Sequence, residues 1–394
     1  MLRTAKIIND PVHGFIHVPE GRILRALGHP VVQRLRRITQ LGLAQFVYPG
    51  AVHTRFGHAL GVLHLAEEAL LSLSRKGLAI PPSTWEAVLL GALLHDIGHG
   101  PFSHSLEGSI LPYNHEQISQ ALLGLMEAEL GDLSEVRLLW ENQHPLRFLS
   151  DLISGQLDVD RLDYLVRDSF YTGVQEGLVG TERLIYTMNV AENRLVIEEK
   201  GHTSVEKFII TRRFMYWQVY LHKGVLGSEW LLRRWWEAYK LEGKKRSYLE
   251  ELWKLPLEAA LPEFLQLDET TIWQWIQASS DSKFPPLRIL SRALLYRVPF
   301  KVTFTERASA TLREGWQHTL SSALRPWAEW FWIEGLAENQ TYSPQAGGEI
   351  RLLRKDGTTA PLSELSPWLQ PLESPTKRAF VGAIPAASLE SLRR

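Results

Sequence analysis

The segment Gly91–His104 constrains this chain more than any other. Gly91-Ala92-Leu93-Leu94 continues an apolar run that has to be buried as helix, yet it ends in His95-Asp96-Ile97-Gly98-His99, with His104 shortly after. Buried apolar sequence does not carry ionisable groups at this density unless they are paired or bound to something. A divalent cation meets that requirement. Imidazole and carboxylate form a hard-to-borderline donor set, and the cation offsets the cost of holding an aspartate among Leu, Ala and Ile. The rest of the chain then has to bring further ligands to this helix end.

Composition limits which ligands those are. The 394 residues contain no cysteine, which excludes disulfides, zinc ribbons, iron–sulfur clusters and thiol nucleophiles and leaves His, Asp and Glu. With 45% hydrophobic and 22% charged residues the chain is an ordinary globular one, long enough for one large domain or two to three. A formal charge of −1 gives no general attraction to nucleic acid or membrane. The first ten residues lack an apolar signal core and no window reaches spanning length, so a cytoplasmic protein with no membrane partner is expected. Fourteen tryptophans, clustered past Trp217, suggest packing surfaces, between subunits included.

Periodicity predicts a mainly α protein with a few short β-hairpins and a smaller mixed α/β C-terminal region. Residues 7–18 read as short strands about a turn at Asp10–Gly14. Pro30 opens a helix expected to run to Leu41, and a long apolar helix follows Arg55 to near Gly77. Ser83-Thr84-Trp85-Glu86 has the form of a capping box for the helix whose last turns carry His95 and Asp96. Further helices are expected at about 119–130 and 145–154. In the stretch from Asp158, Leu162, Leu165 and Val166 form an apolar stripe while Asp160, Tyr164 and Asp168 recur at i, i+4 and i+8 on a polar one. A hairpin is expected within 184–199 about Ala191-Glu192-Asn193. Thr203-Ser204-Val205-Glu206 then caps a long helix that Gly224 and Gly227 interrupt. Residues 250–340 read as helix with a β-like excursion at 298–304, and a last hairpin turns at Lys355-Asp356-Gly357.

Seven of the fourteen histidines fall between His53 and His115. A single histidine is usually a surface or satisfied core residue, but clustering around an adjacent His-Asp pair points to a site. His58 and Asp160 complete a set with His95 and Asp96: two imidazoles and two carboxylates from three helices. This ligand field suits Mn, Mg, Fe, Ni or Zn without choosing among them.

His58, His95-Asp96 and Asp160, in that order, resemble the motif of the HD-superfamily phosphohydrolases. The surrounding segments are similar to the SAM-and-HD-domain deoxynucleoside triphosphate triphosphohydrolases: Asn9-Asp10-Pro11-Val12-His13-Gly14, Gln33-Arg34-Leu35-Arg36, Gln40-Leu41-Gly42, His53-Thr54-Arg55-Phe56-Gly57-His58, His95 through His104, and Asp158-Val159-Asp160-Arg161-Leu162-Asp163-Tyr164. The resemblance covers about residues 5–240. It implies a phosphohydrolase core over 1–240, with the motif region at about 50–170, and a C-terminal region over 241–394 with an oligomerisation or regulatory role.

The activity implied is hydrolysis of a deoxynucleoside triphosphate to deoxynucleoside and inorganic triphosphate by metal-activated water. In the family, histidines matching His99, His104 and His115 line the phosphate site. His104 or His115 suits protonation of the leaving 5′-oxygen when Glu107 holds its ring. Arg55, Arg161 and Arg212 match phosphate contacts, with Arg161 standing where some relatives carry Lys. Gln40 and Leu41 match the deoxyribose contacts, and Tyr164 with Asp168 the groups that crowd the sugar edge and reject a 2′-hydroxyl. Relatives also bind an activating guanine nucleotide between subunits and form tetramers. The matching positions here are Lys6, Asn9, Gln33, Arg36, Lys223, Arg297 and Lys301, with plain solvated surface as the alternative reading of these basic residues. Where relatives place an acidic residue before the Pro-led helix, this chain has Gly28-His29-Pro30, which leaves open activation by another nucleotide or by none. A homo-oligomer, dimer or tetramer, is expected.

Two other readings compete. One is an HD phosphohydrolase acting on another nucleotide or phosphoester, though no Gly-Tyr-Pro follows the His-Asp pair as in the cyclic-dinucleotide branch. The other is a nucleotide-sensing or single-stranded nucleic-acid-binding protein, suggested by the basic, Trp-rich C-terminal half but disfavoured by the complete ligand set.

Overall fold

The computed structural model describes residues 3–242, 251–307, 309–343 and 348–393. The chain begins with an antiparallel hairpin, β1 (Thr4–Asp10) and β2 (Gly14–Pro19), in which Asn9 pairs with Phe15 and Asp10 with Gly14. Two short helices follow, α1 (Arg22–Gly28) and α2 (Pro30–Arg34). Next come α3 (Arg55–Arg75), α4 (Pro82–Leu94), α5 (His115–Leu130), α6 (Ser134–Trp140), α7 (Arg147–Ser154) and α8 (Val159–Thr172). Then α9 (Thr181–Thr187), the hairpin β3 (Met188–Ala191) and β4 (Arg194–Glu198), α10 (His202–Met215) and α11 (Lys223–Lys240) complete the first two thirds.

Helix α4 shows why this region is all-α. Every residue from Ala87 to Leu94 is buried, so the helix is apolar all round and has to be enclosed by others. It lies against α3, which in turn packs on α8, and each fully buried Leu or Val contributes roughly 1.5–3 kcal/mol. One continuous apolar core runs from Ile16 to Leu392, so the expected division near residue 240 does not divide the core. That division also adjoins residues 243–250, which lie outside the described residues. Past residue 250, helices at Leu257–Gln266, Glu269–Ala278 and Pro285–Leu295 are joined by two small sheets. β7 (Arg351–Leu353) adds parallel to β4 and pairs with β8 (Thr359–Pro361), while β9 (Thr376–Ala383) lies between β5 (Lys301–Phe304) and β6 (Trp332–Asn339). Among the described residues no helix is long and apolar enough to cross a membrane.

Several local expectations are corrected. The Pro30 helix ends at Arg34, because residues 38–40 instead pair with 53–55: Gln40 N–H donates to the His53 carbonyl at 3.0 Å and Arg55 N–H to that of Ile38 at 2.9 Å. Neither expected capping box forms. Pro82 starts α4 two residues early, and Glu206 is taken by Ser366 and Trp368, which donate at 2.6 and 2.8 Å. α5 begins at His115 through a capping box between Asn114 and Gln117, earlier than apolar spacing indicates. Residues 184–187 close α9 and do not begin the hairpin, whose strands start at Met188; its turn holds Glu192 and Asn193 at φ 52° and 59°. Gly224 and Gly227 lie inside α11; a Cβ at Gly227 would sit 2.2 Å from the Phe300 carbonyl oxygen, so close packing and not a break requires glycine there. Residues 332–339 are strand β6, not helix. Trp235 and Trp236 are buried within this chain against Tyr239 and Trp275, not displayed for a partner.

Candidate active site

Helix α4 ends at Leu94, so His95 and Asp96 occupy the turn beyond it and not its last helical turns. His58 comes from the first turn of α3 and Asp160 from the first turn of α8. His58 Nε2 lies 3.2 Å from His95 Nε2 and 3.0 Å from Asp160 Oδ1, while His95 Nε2 lies 3.4 Å from Asp96 Oδ1. Donor atoms of His58, His95 and Asp160 thus lie within 4.8 Å of one another, and Asp96 stands beside the two imidazoles. Burial opposes charge on His58, yet hydrogen bonds to Asp160 and Asp163 hold its ring protonated up to about 10. Such a donor set is anionic enough to retain a proton where a cation would fit.

The other side of His58 is held by buried charge. Its Nδ1 lies 2.7 Å from Asp163, which also takes His13 Nε2 at 2.6 Å and Arg167 Nε and Nη2 at 2.9 and 3.0 Å. Arg167 in turn donates to both oxygens of Asp10, at 2.9 and 3.2 Å. This is the carboxylate–histidine–ligand arrangement that fixes ring orientation and tautomer. A Cβ at Gly61 would stand 1.8 Å from Asp163 Oδ1, so α3 needs glycine where this network passes.

A second cluster lies beyond Asp96. His99 stacks on His115 with centroids 4.0 Å apart, and His104 stands edge-on to both. Glu107 carries His104 Nδ1 at 2.7 Å on one oxygen and His115 Nδ1 at 2.5 Å on the other. Burial alone would raise the Glu107 carboxyl, but these two histidines hold it well below the usual range. His99 is kept neutral by burial and by nearby Arg55, and its Nε2 lies 3.3 Å from Asp96. Arg55 pairs with Asp96 and donates to Ser103 Oγ at 2.8 Å. Phe102 and Ser103 adopt φ of 58° and 51°, left-handed backbone that is costly for such residues and recurs at functional loops.

A cavity of about 340 Å³ joins the two clusters. Of the expected residues it is lined by Gln40, Leu41, Arg55, His58, Asp96, His99, His104, His115, Asp160, Tyr164 and Asp168. His95 and Glu107 stand just behind that wall. Arg161 and Arg212 are not brought into the lining: Arg161 is held by Asp158 and the Gly155 carbonyl, and the Arg212 guanidinium lies 5.8 Å from the Tyr216 ring centre. None of the seven expected regulatory positions lines the cavity. Arg36 bonds Gln33 at 2.9 Å and stacks on Phe56 at 3.6 Å, and Arg297 reaches the Phe46 carbonyl at 2.6 Å. Lys6 and Asn9 sit on β1, Lys223 begins α11 and Lys301 begins β5.

The structure adds residues that spacing did not single out. Tyr216 and Tyr220 enter the cavity from the turn after α10, and their i, i+4 spacing was the available signal. Tyr220 OH donates to Asp168 at 2.7 Å, and His53 Nε2 lies 2.7 Å from the other oxygen. Glu269 takes Thr39 N–H at 2.8 Å and Phe102 N–H at 3.1 Å, while Arg34 joins the Leu267 and His99 carbonyls. The segment past residue 250 thus clamps both loops of the site, and no local pattern announces it.

The HD domain profile matches residues 55–168, and an HD-associated region matches 179–252. The chain belongs to the HD-domain phosphohydrolases. A phosphohydrolase of known structure from Bacteroides thetaiotaomicron superposes with a TM-score of 0.88 at 40% identity, covering 96% of this chain and 99% of that one. YwfO of Bacillus subtilis, described as uncharacterized, is 34% identical over 76% of this chain and 72% of its own length. The SAMHD1 homologue of Dictyostelium discoideum, a deoxynucleoside triphosphate triphosphohydrolase, is 32% identical over 56% of this chain; the match spans 47% of that protein, about half its length.

Proposed function

We propose that this protein hydrolyses deoxynucleoside triphosphates to deoxynucleoside and inorganic triphosphate. The observation that carries the reading is the polar stripe of α8. Asp160 stands in the donor set, and Tyr164 and Asp168 continue from it along the same cavity, as a phosphate and its sugar require. Gln40 Oε1, on the cavity wall, is a buried acceptor with no hydrogen-bond partner, which a deoxyribose hydroxyl would satisfy. Arg161 and Arg212, outside the lining, would contribute positive charge and not direct contacts.

His58, His95, Asp96 and Asp160 would hold the divalent ion, whose donor chemistry fits them. When bound, it supplies Lewis acidity that lowers the pKa of a water and offsets charge on the phosphoryl oxygens. Arg55 orients Asp96 and adds positive charge at the phosphate end. Glu107 fixes His104 and His115 so that a ring Nε2–H of one of them faces the leaving 5′-oxygen and gives it the proton. His99, held neutral, stacks beneath and positions His115. Tyr164, half-buried with its ring edge-on to Tyr220, closes the space a 2′-hydroxyl would need. The expected regulatory positions, Gln33 and Arg36 over Phe56 among them, would form a nucleotide site outside the cavity, and the region past residue 240 would serve assembly as well as the site.

The test is to incubate the protein with Mn²⁺ and each of the four dNTPs, alone and with a second nucleotide. Triphosphate, pyrophosphate and phosphate are then separated. Triphosphate release from a dNTP is expected. Release only from monophosphates, cyclic nucleotides or oligonucleotides would replace this reading with another HD phosphohydrolase activity.

A further inference from the structure

One ionisable group in the cavity has no part in the chemistry above. Glu229 belongs to α11, one turn beyond Val225, and both side chains line the cavity with Leu41, Gly42, Ala44 and Val219. This is its apolar portion, and the carboxylate is set into it with the charge of Arg233 and a hydrogen bond from Ser105 as its answering groups. The Arg233 Nε itself is spent on the Ser105 carbonyl at 3.1 Å. Burial pushes the Glu229 carboxyl up to about 7 against both of these neighbours. A carboxylate left this short of donors gains strongly from any N–H that a ligand brings.

We propose that Glu229 reads the base of the bound nucleotide, accepting hydrogen bonds from amino and imino N–H groups and so favouring guanine over thymine. This rests on the triphosphohydrolase reading. Guanine offers N1–H and N2–H₂ side by side, which match the two oxygens of a carboxylate. Thymine offers one N–H between two carbonyl oxygens, which the carboxylate repels. Apolar walls admit all four bases, so discrimination falls to the polar group among them.

The experiment compares wild type with Glu229→Gln, which keeps size and removes charge, at mildly alkaline pH. The readouts are kcat/KM for triphosphate release from each dNTP and equilibrium binding of dGTP and dTTP in EDTA. The dGTP-to-dTTP ratio is expected to fall by about tenfold or more in both, with dTTP little changed. An unchanged ratio, or an equal loss for all four nucleotides, overturns the inference and leaves the triphosphohydrolase standing. Absence of triphosphate release from wild type would sink that activity instead, and the binding ratio in EDTA would still decide the role of Glu229. Should Glu229→Gln fail to fold, Glu229→Asp, which withdraws the carboxylate by one methylene, is expected to lower the same ratio by a smaller factor; no change there also overturns it.

Discussion

The two faces of α8 differ in how completely their charges are answered. Asp163 and Arg167 on the inner face are fully buried, and each makes several short hydrogen bonds within the chain. Asp160, Tyr164 and Asp168 on the cavity face stand within reach of open volume, beside the unpartnered acceptor of Gln40. The inner face spends its charge on rigidity; on the cavity face Asp168 is held in the same way by Tyr220 and His53, which leaves Asp160 and Tyr164 to meet a ligand. The two are coupled through His58, whose Nδ1 belongs to the first network and Nε2 to the second.

Three perturbations would break or sharpen that contrast. The largest effect is expected from Asp160→Ala, which should lower turnover by about 10³-fold or more while Tm moves little, since its side chain is 32% exposed and supports no core. Near-normal turnover would show that Asp160 is not a ligand. Arg167→Ala should do the reverse, costing about 3–5 kcal/mol of stability by removing the one guanidinium that bridges the buried Asp163 and Asp10, leaving Asp163 to His13 and His58 and Asp10 to backbone N–H groups. Denaturant unfolding measures this, and a loss below about 1 kcal/mol would mean that water relieves the network.

The smallest effect concerns pH. His58 is raised from 6.5 to about 10 in the cation-free fold, so its stabilisation is complete below 6.5 and is lost as pH rises through about 10. A cation needs the neutral ring, and its binding should strengthen over the same window. The Tm gain from Mn²⁺ over EDTA-treated protein is thus expected to grow between pH 6.5 and about 9. A gain that shrinks over this range would exclude His58 as a proton-competing ligand.

Much of the cavity face was legible because its signals are local. His95-Asp96 closes an apolar helix, and Asp160, Tyr164 and Asp168 recur at helical spacing; both follow from periodicity. Helix starts were less legible, since Glu206 fits a capping box in sequence but finds Ser366 and Trp368 in space. Gly227 likewise reads as a break, although its reason is the Phe300 carbonyl in another element.

The sequence by itself determined the chemistry: without cysteine, and with histidines crowded about one His-Asp pair, only an imidazole–carboxylate centre was available. Tertiary structure alone decided what supports and bounds it. His13 meets Asp163 across 150 residues, and Thr39 meets Glu269 across 230. Side-chain periodicity reports only which face of an element is apolar, so contacts at such separation carry no signature until the helices pack. Glu229 is a charged residue like many others in sequence; only packing sets it in the apolar wall of the cavity.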